Sequence, residues 1–290
     1  MRTLWPFFLL ISLAACTIEA SQEARSRTIP PDALEWDAPI DPNGRIIETR
    51  FPAPEGFVRM PVRQGSFAHY LRRRWLKAHG SPVMLHDGRI KQAQVHAAVI
   101  DLDMGKRDLQ QCADAIIRLR AEYFYEKRQF DSIAFNFTNG FRCAYRRWIN
   151  GERIQLYNNR TWWAHKADTL ESYVNFRKYL NIIFAFAGTW SLARELDSVA
   201  YQEMDIGDVL IHGGLPGHAA IIVDVVVDPG NGDKLFLLAQ SYMPAQEVHI
   251  LKNPNAPHLS PWYRLDPEAR QVRTPEWTFA TDELRGFPSP

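Results

Sequence analysis

The stretch from Gly207 to Gln240 constrains the chain more than any other part of it. Residues 207–212, 218–227 and 234–240 are dominated by Val, Ile, Leu, Ala and Phe. Between them stand Gly213-Gly214-Leu215-Pro216-Gly217 and Asp228-Pro229-Gly230-Asn231-Gly232, whose glycines, prolines and Asx residues end strands and turn the chain. Short apolar runs punctuated this way predict strands joined by hairpins, with 246–251 as the candidate fourth. Earlier in the chain the apolar spacing changes to three and four residues. Leu109, Cys112, Ile116, Leu119 and Tyr123 predict a helix with Asp108 as its N-cap. From Leu170 to about Leu196, the stripe Tyr173, Phe176, Leu180, Ile183, Phe184 and Ala187 predicts another. Helices and strands in separate runs, with hairpin connections, indicate an α+β fold built on a mainly antiparallel sheet.

Smaller signals fill in the rest. Ser66 can cap a short helix through Trp75, and 95–102 reads as a buried strand. Asp87-Gly88 predicts a hairpin turn between 83–85 and 89–90, as Asn139-Gly140 does between 132–137 and 141–148. Asn150-Gly151 then turns the chain into 153–157, which would extend that hairpin into a small meander.

Lys and Arg number 34 against 33 Asp and Glu, so no general field draws the chain to nucleic acid. Arg72-Arg73-Arg74 and Arg146-Arg147 read as solvated basic spots. The N-terminus is distinctive. One arginine, an apolar run from Leu4 to Leu13 and small residues before a cysteine make a secretory signal. Leu13-Ala14-Ala15-Cys16 resembles the lipobox of bacterial lipoproteins. That resemblance implies cleavage before Cys16, lipid on its sulfur and acylation of the new amino end, enough chains for a durable hold on a bilayer. Thr17 after the cysteine favours an outer membrane facing the periplasm. The expected organisation is a signal peptide over 1–15, a lipidated polar tether over 16–45 and one domain over 46–290. Cys112 and Cys143 remain as thiols, and in an oxidising compartment the two can also form a disulfide.

Gly207-Asp208 opening one strand, and Gly217-His218 followed by apolar residues opening the next, resemble the Gly-Asp and Gly-His strands of papain-like cell-wall hydrolases of the NlpC and CHAP types. The resemblance implies a cysteine nucleophile near the start of a helix packed on the sheet, a histidine base, and a third polar residue on the following strand. Cys112, His218 and Gln240 occupy those places in that order. The chemistry is sound on its own terms. Unpaired N–H groups at a helix start favour a thiolate, and an imidazole can take the thiol proton. An amide on the far ring nitrogen fixes the tautomer. Backbone N–H groups, with Gln110 or Gln111, would meet the oxyanion. The chain departs from the family in reading Gln111-Cys112-Ala113 where Asp-Cys-Ser or Asp-Cys-Gly is usual.

Each of these residues also has a plainer reading. Cys112 lies on an apolar helix stripe, where cysteine commonly serves as a small buried hydrophobe. His218 and Gln240 can be satisfied core groups. His212, His218, Asp224 and His249 suit zinc by type, but their spacing matches no ligand motif, and no cofactor is expected. Trp162-Trp163 with Tyr157 can stack on sugars or pack in a core or interface. The expectation is a lipid-anchored envelope cysteine hydrolase acting on an amide or peptide bond, with murein peptides or an envelope protein as partners. The alternative is an inert binding or scaffolding lipoprotein of the same fold, its cysteines buried or bridged.

Overall fold

The apolar runs of the last third form the centre of the molecule. In the computed structural model, which describes residues 38–288, the chain begins with α1 (Ile47–Arg50), β1 (Val58–Arg59), α2 (Phe67–Arg72) and β2 (His96–Val99). The long helix α3 (Cys112–Glu126) leads to β3 (Ala134–Asn136), β4 (Arg142–Ala144) and α4 (Tyr145–Ile149). A second hairpin, β5 (Glu152–Tyr157) and β6 (Arg160–His165), precedes α5 (Tyr173–Phe186) and α6 (Thr189–Glu195). Then come β7 (Asp197–Ser198), β8 (Val209–His212), β9 (His218–Val227), β10 (Lys234–Gln240) and β11 (His249–Leu251). The chain closes with β12 (Tyr263–Arg264), β13 (Gln271–Arg273), β14 (Thr278–Ala280) and β15 (Leu284–Gly286).

Among the described residues, nine strands join one antiparallel sheet. Its path runs β2-β11-β10-β9-β8-β15-β7, with β1 beside β9 and β12 beside β10. Helices α2 and α3 pack against β9, and every residue from His218 to Val226 is buried. That is why β9 reads as an unbroken apolar run instead of alternating. The charged residue in it, Asp224, is answered by the guanidinium groups of Arg59 and Arg72. Arg72 is therefore a buried ion-pair partner, not part of a solvated spot. Arg146 and Arg147 do face solvent, paired with Asp131 and Glu152.

The register between β9 and β10 matters for the site. Leu237 lies opposite Asp224 but Leu238 lies opposite Ile222, so Val223 is an extra residue in a bulge. Beyond it Ala239 faces Ile221, which aligns Gln240 with Ala220 and puts it on the same face as His218. Without the bulge the pairing would slip by one and carry Gln240 to the opposite face.

Several expected boundaries move. The helix expected from Asp108 starts at Cys112, with Gln111 as N-cap. Asp108 instead accepts the Ala245 N–H at 2.7 Å and the Gln111 amide at 3.2 Å, while Asp114 accepts the Gln111 N–H at 3.1 Å. Residues 170–196 form two helices, interrupted at Ala187-Gly188. Residues 145–149 are helical where a strand was expected, and β5 pairs with β6 in a separate hairpin instead of extending a meander. Ser66 caps its helix by accepting the His69 N–H, but that helix stops at Arg72. Around Gly88 a single bridge, Met84 to Ile90, stands where two strands were expected. The signal, Cys16 and the tether up to residue 37 lie outside the described residues. The last tether residues do touch the body: Ala38 N–H bonds His258 O at 3.1 Å and Asp41 N–H bonds Arg50 O at 2.9 Å.

Candidate active site

Cys112 is the first residue of α3, the position at which a helix presents unpaired N–H groups. The backbone N–H groups of Ala113, Ala219 and Cys112 itself act on its sulfur and favour the thiolate. Ala219 directly follows His218, so this contact joins the helix start to the strand that carries the histidine. The thiol is only 8 % exposed. Burial, with the Asp114 carboxyl as a lesser cause, pushes it up to about 11. The acidic thiolate expected from the helix start is thus not the resting state, because desolvation of the charged form outweighs the N–H groups that favour it.

The histidine half is fully wired. His218 Nε2 lies 2.8 Å from Gln240 Oε1. Gln240 in turn donates its amide N–H to Glu276 Oε2 at 2.7 Å, and Glu276 Oε1 pairs with the Lys91 ammonium at 2.6 Å. A carboxylate only accepts, so the Gln240 NH₂ must face Glu276 and its oxygen must face the imidazole. Nε2 therefore carries the ring proton and Nδ1 keeps its lone pair. Tyr242, Trp277 and Phe279 surround the ring with centroids at 4.8, 5.4 and 5.7 Å. Burial draws the imidazole down to about 4, against the pull of the Gln240 hydrogen bond, so it is neutral at pH 7.

Cys112 also lines a cleft of about 540 Å³. One wall is the turn Gly214–Gly217, another is the break between α5 and α6 at Ala187–Trp190, and Met243 closes a third side. Gly217 permits the close approach there. A Cβ on it would fall 2.3 Å from Thr189 Oγ1 and 2.5 Å from Gly214 O. The segment before Cys112 is held by Arg118, which is buried and donates to Asp103 O at 3.0 Å, Gln110 Oε1 at 2.9 Å and Glu122 Oε1 at 2.6 Å. This commits Gln110 to the interior and leaves Gln111, a cleft-lining residue, as the side chain near the sulfur.

The structure thus joins His218 to Gln240 directly and sets Cys112 against the backbone beside His218. Glu276, Lys91 and the aromatic collar were not foreseen. Glu276-Trp277 follows Pro275 in a segment without periodicity, and only the tertiary fold brings it to β10. Cys143 lies in β4, wholly buried, and both thiols are free. His212 pairs with Glu283 at 2.5 Å, and His249 Nδ1 lies 2.8 Å from Glu247 O. Among the described residues no group of three or more His, Cys, Asp or Glu side chains could hold a metal ion. Tyr157 and Trp162 stand exposed on the β5–β6 hairpin, while Trp163 packs on Phe141. None of the described helices is long and apolar enough to cross a membrane.

Comparison with known proteins adds one finding. No curated protein and no solved structure matches. A family signature with the description Domain of unknown function (4846) matches residues 47–286. That span runs from α1 to the end of β15 and contains every residue of the candidate site, so the chain belongs to this family, Domain of unknown function (4846).

Proposed function

We propose that the protein is a papain-like cysteine hydrolase of the bacterial cell envelope, held on the membrane by lipid on Cys16. Cys112 is the nucleophile, His218 the base and Gln240 the residue that orients it, acting on an amide or peptide bond. The observation that carries this reading is the chain from Lys91 through Glu276 and Gln240 to His218. It leaves Nδ1 unprotonated on the residue whose neighbour's N–H meets the Cys112 sulfur.

In the reaction, Cys112 Sγ attacks the substrate carbonyl carbon while its proton passes to His218 Nδ1. The tetrahedral oxyanion is met by N–H groups at the α3 start. His218 then gives the proton to the leaving nitrogen as the C–N bond breaks. Water, deprotonated by the same imidazole, hydrolyses the thioester and frees Cys112. The thiol and imidazole rest as a neutral pair, and the proton moves only when the carbonyl is in place.

The second reading, an inert binding or scaffolding lipoprotein, is favoured by one specific observation, the burial of Cys112 that pushes its thiol up to about 11. The rate at which iodoacetamide alkylates Cys112 separates the two across pH. A base-assisted thiol should react at a nearly constant rate from about pH 5 to 9, once His218 is neutral. His218→Ala should restore a tenfold rise per pH unit. A wild-type rate that already climbs tenfold per unit toward pH 11 would establish the inert protein. The anchor is checked separately by fractionation, where Cys16→Ala should move the protein from membrane to soluble fraction.

A further inference from the structure

We propose that the cleft beside Cys112 is an acyl-chain site, so that the group on the carbonyl side of the scissile bond is a straight apolar chain. This rests on Cys112 as the nucleophile. The volume of about 540 Å³ lies in the range that holds a whole small ligand and far exceeds what one amino-acid side chain fills. The cleft offers a guest little polarity. Cys112 and Asp114 are the ionisable side chains among its lining residues, and no lysine or arginine is there to meet an anion. Asp114 is buried and its carboxylate caps the Gln111 N–H, with burial holding it well above the usual carboxylate range. The hydroxyls of Thr138 and Thr189 are committed to Phe186 O and Gly214 O, and Gln111 is anchored to Asp108.

A peptide carrying several carboxylates would lose hydration here without gaining partners. The mouth points the same way. Leu215 is fully exposed, Met243 59 % and Trp190 47 %, all on residues that line the cleft. Large apolar side chains converging on one opening mark a binding site for an apolar guest. Because Cys112 is itself a lining residue, a chain lying in the cleft can carry its carbonyl to the sulfur.

Gly188 makes the test clean. Its backbone is extended, it lines the cleft, and a Cβ built there meets no atom within 4 Å, so a side chain at 188 starts in open space. Titration calorimetry on the Cys112→Ser protein would use uncharged N-acylglycinamides from acetyl to dodecanoyl. Affinity should tighten by about fourfold per added methylene until the cleft is full. Gly188→Leu in the same background should abolish that dependence while the protein keeps a single cooperative thermal transition, its midpoint lowered by no more than a lost helix cap costs. Affinity that ignores chain length, or a dependence that survives Gly188→Leu, would overturn the assignment. So would tighter binding of a carboxylate-rich murein-type peptide, or of N-acetylleucinamide over its carbon-matched linear counterpart. The hydrolase reading fails separately. Chain-length-dependent binding without pH-independent alkylation of wild-type Cys112 leaves an acyl-binding protein, and the reverse pattern leaves a hydrolase of another substrate class.

Discussion

The two halves of the site are built differently. His218 and Gln240 stand on adjacent central strands, and His218 Nε2, the Gln240 amide, Glu276 and Lys91 form one connected chain of partners. Cys112 and the cleft are assembled from a helix start, a helix break and two loops, and apolar surface stays open to solvent there. The contrast teaches which part of such a site must be rigid. On the proposed reading, the nitrogen that accepts the proton needs one tautomer and one direction, which a hydrogen-bonded network on a sheet supplies. A surface that receives a guest must leave contacts unmade until the guest arrives.

The largest effect is expected from Glu276→Ala, which leaves the Lys91 ammonium buried without its carboxylate. It should cost about 3 kcal/mol in chemical denaturation, and a loss under 1 kcal/mol would mean that the network is not rigid. Next comes His218→Ala, expected to slow Cys112 alkylation at pH 7 roughly a hundredfold while Cys143 stays unlabelled in the native protein.

The pH dependence comes third. Burial lowers His218 to about 4 and His249 to about 3, both from 6.5. Between those values and 6.5 the unfolded chain binds more protons, so this contribution to stability rises with pH and is lost as pH falls. Glu195, raised to about 7, and Asp208, raised to about 6, both by burial, slope the other way. The informative quantity is therefore the difference from a variant, and His249→Gln should flatten the acid limb of a midpoint-versus-pH curve. On the cleft side Cys112 is raised from 9.0 to about 11, so stability is lost as pH rises through that window, and Cys112→Ser should recover it. The smallest effect is Leu215→Ala, within about 0.5 kcal/mol of wild type, because the side chain is wholly exposed. A larger cost would show that the loop wall is part of the core.

How much of this was legible in the chain depends on the range of the interactions. The strands 218–227 and 234–240 were readable to the residue, because two glycine- and proline-rich turns bound two apolar runs. The pairing of His218 with Gln240 followed from the resemblance to papain-like hydrolases, which implies a polar residue on the strand after the histidine, and the two side chains do meet. The start of α3 was not. Apolar periodicity marks the buried face but is silent on which preceding residue ceases to be helical, and Asp108 was drawn away by Ala245, 137 residues downstream. The break at Gly188 was hidden in the same way, since the apolar stripe continues through it.

Local pattern in the chain settled the central strands and the order in which Cys112, His218 and Gln240 occur, while the roles expected of those three residues came from the resemblance to papain-like hydrolases. The surroundings of those groups come from packing across the chain. The bulge at Val223 turned Gln240 to the face of His218, Glu276 fixed the tautomer from 36 residues away, and burial moved the thiol up and the imidazole down. Desolvation and register depend on what packs against a residue, which no local spacing records.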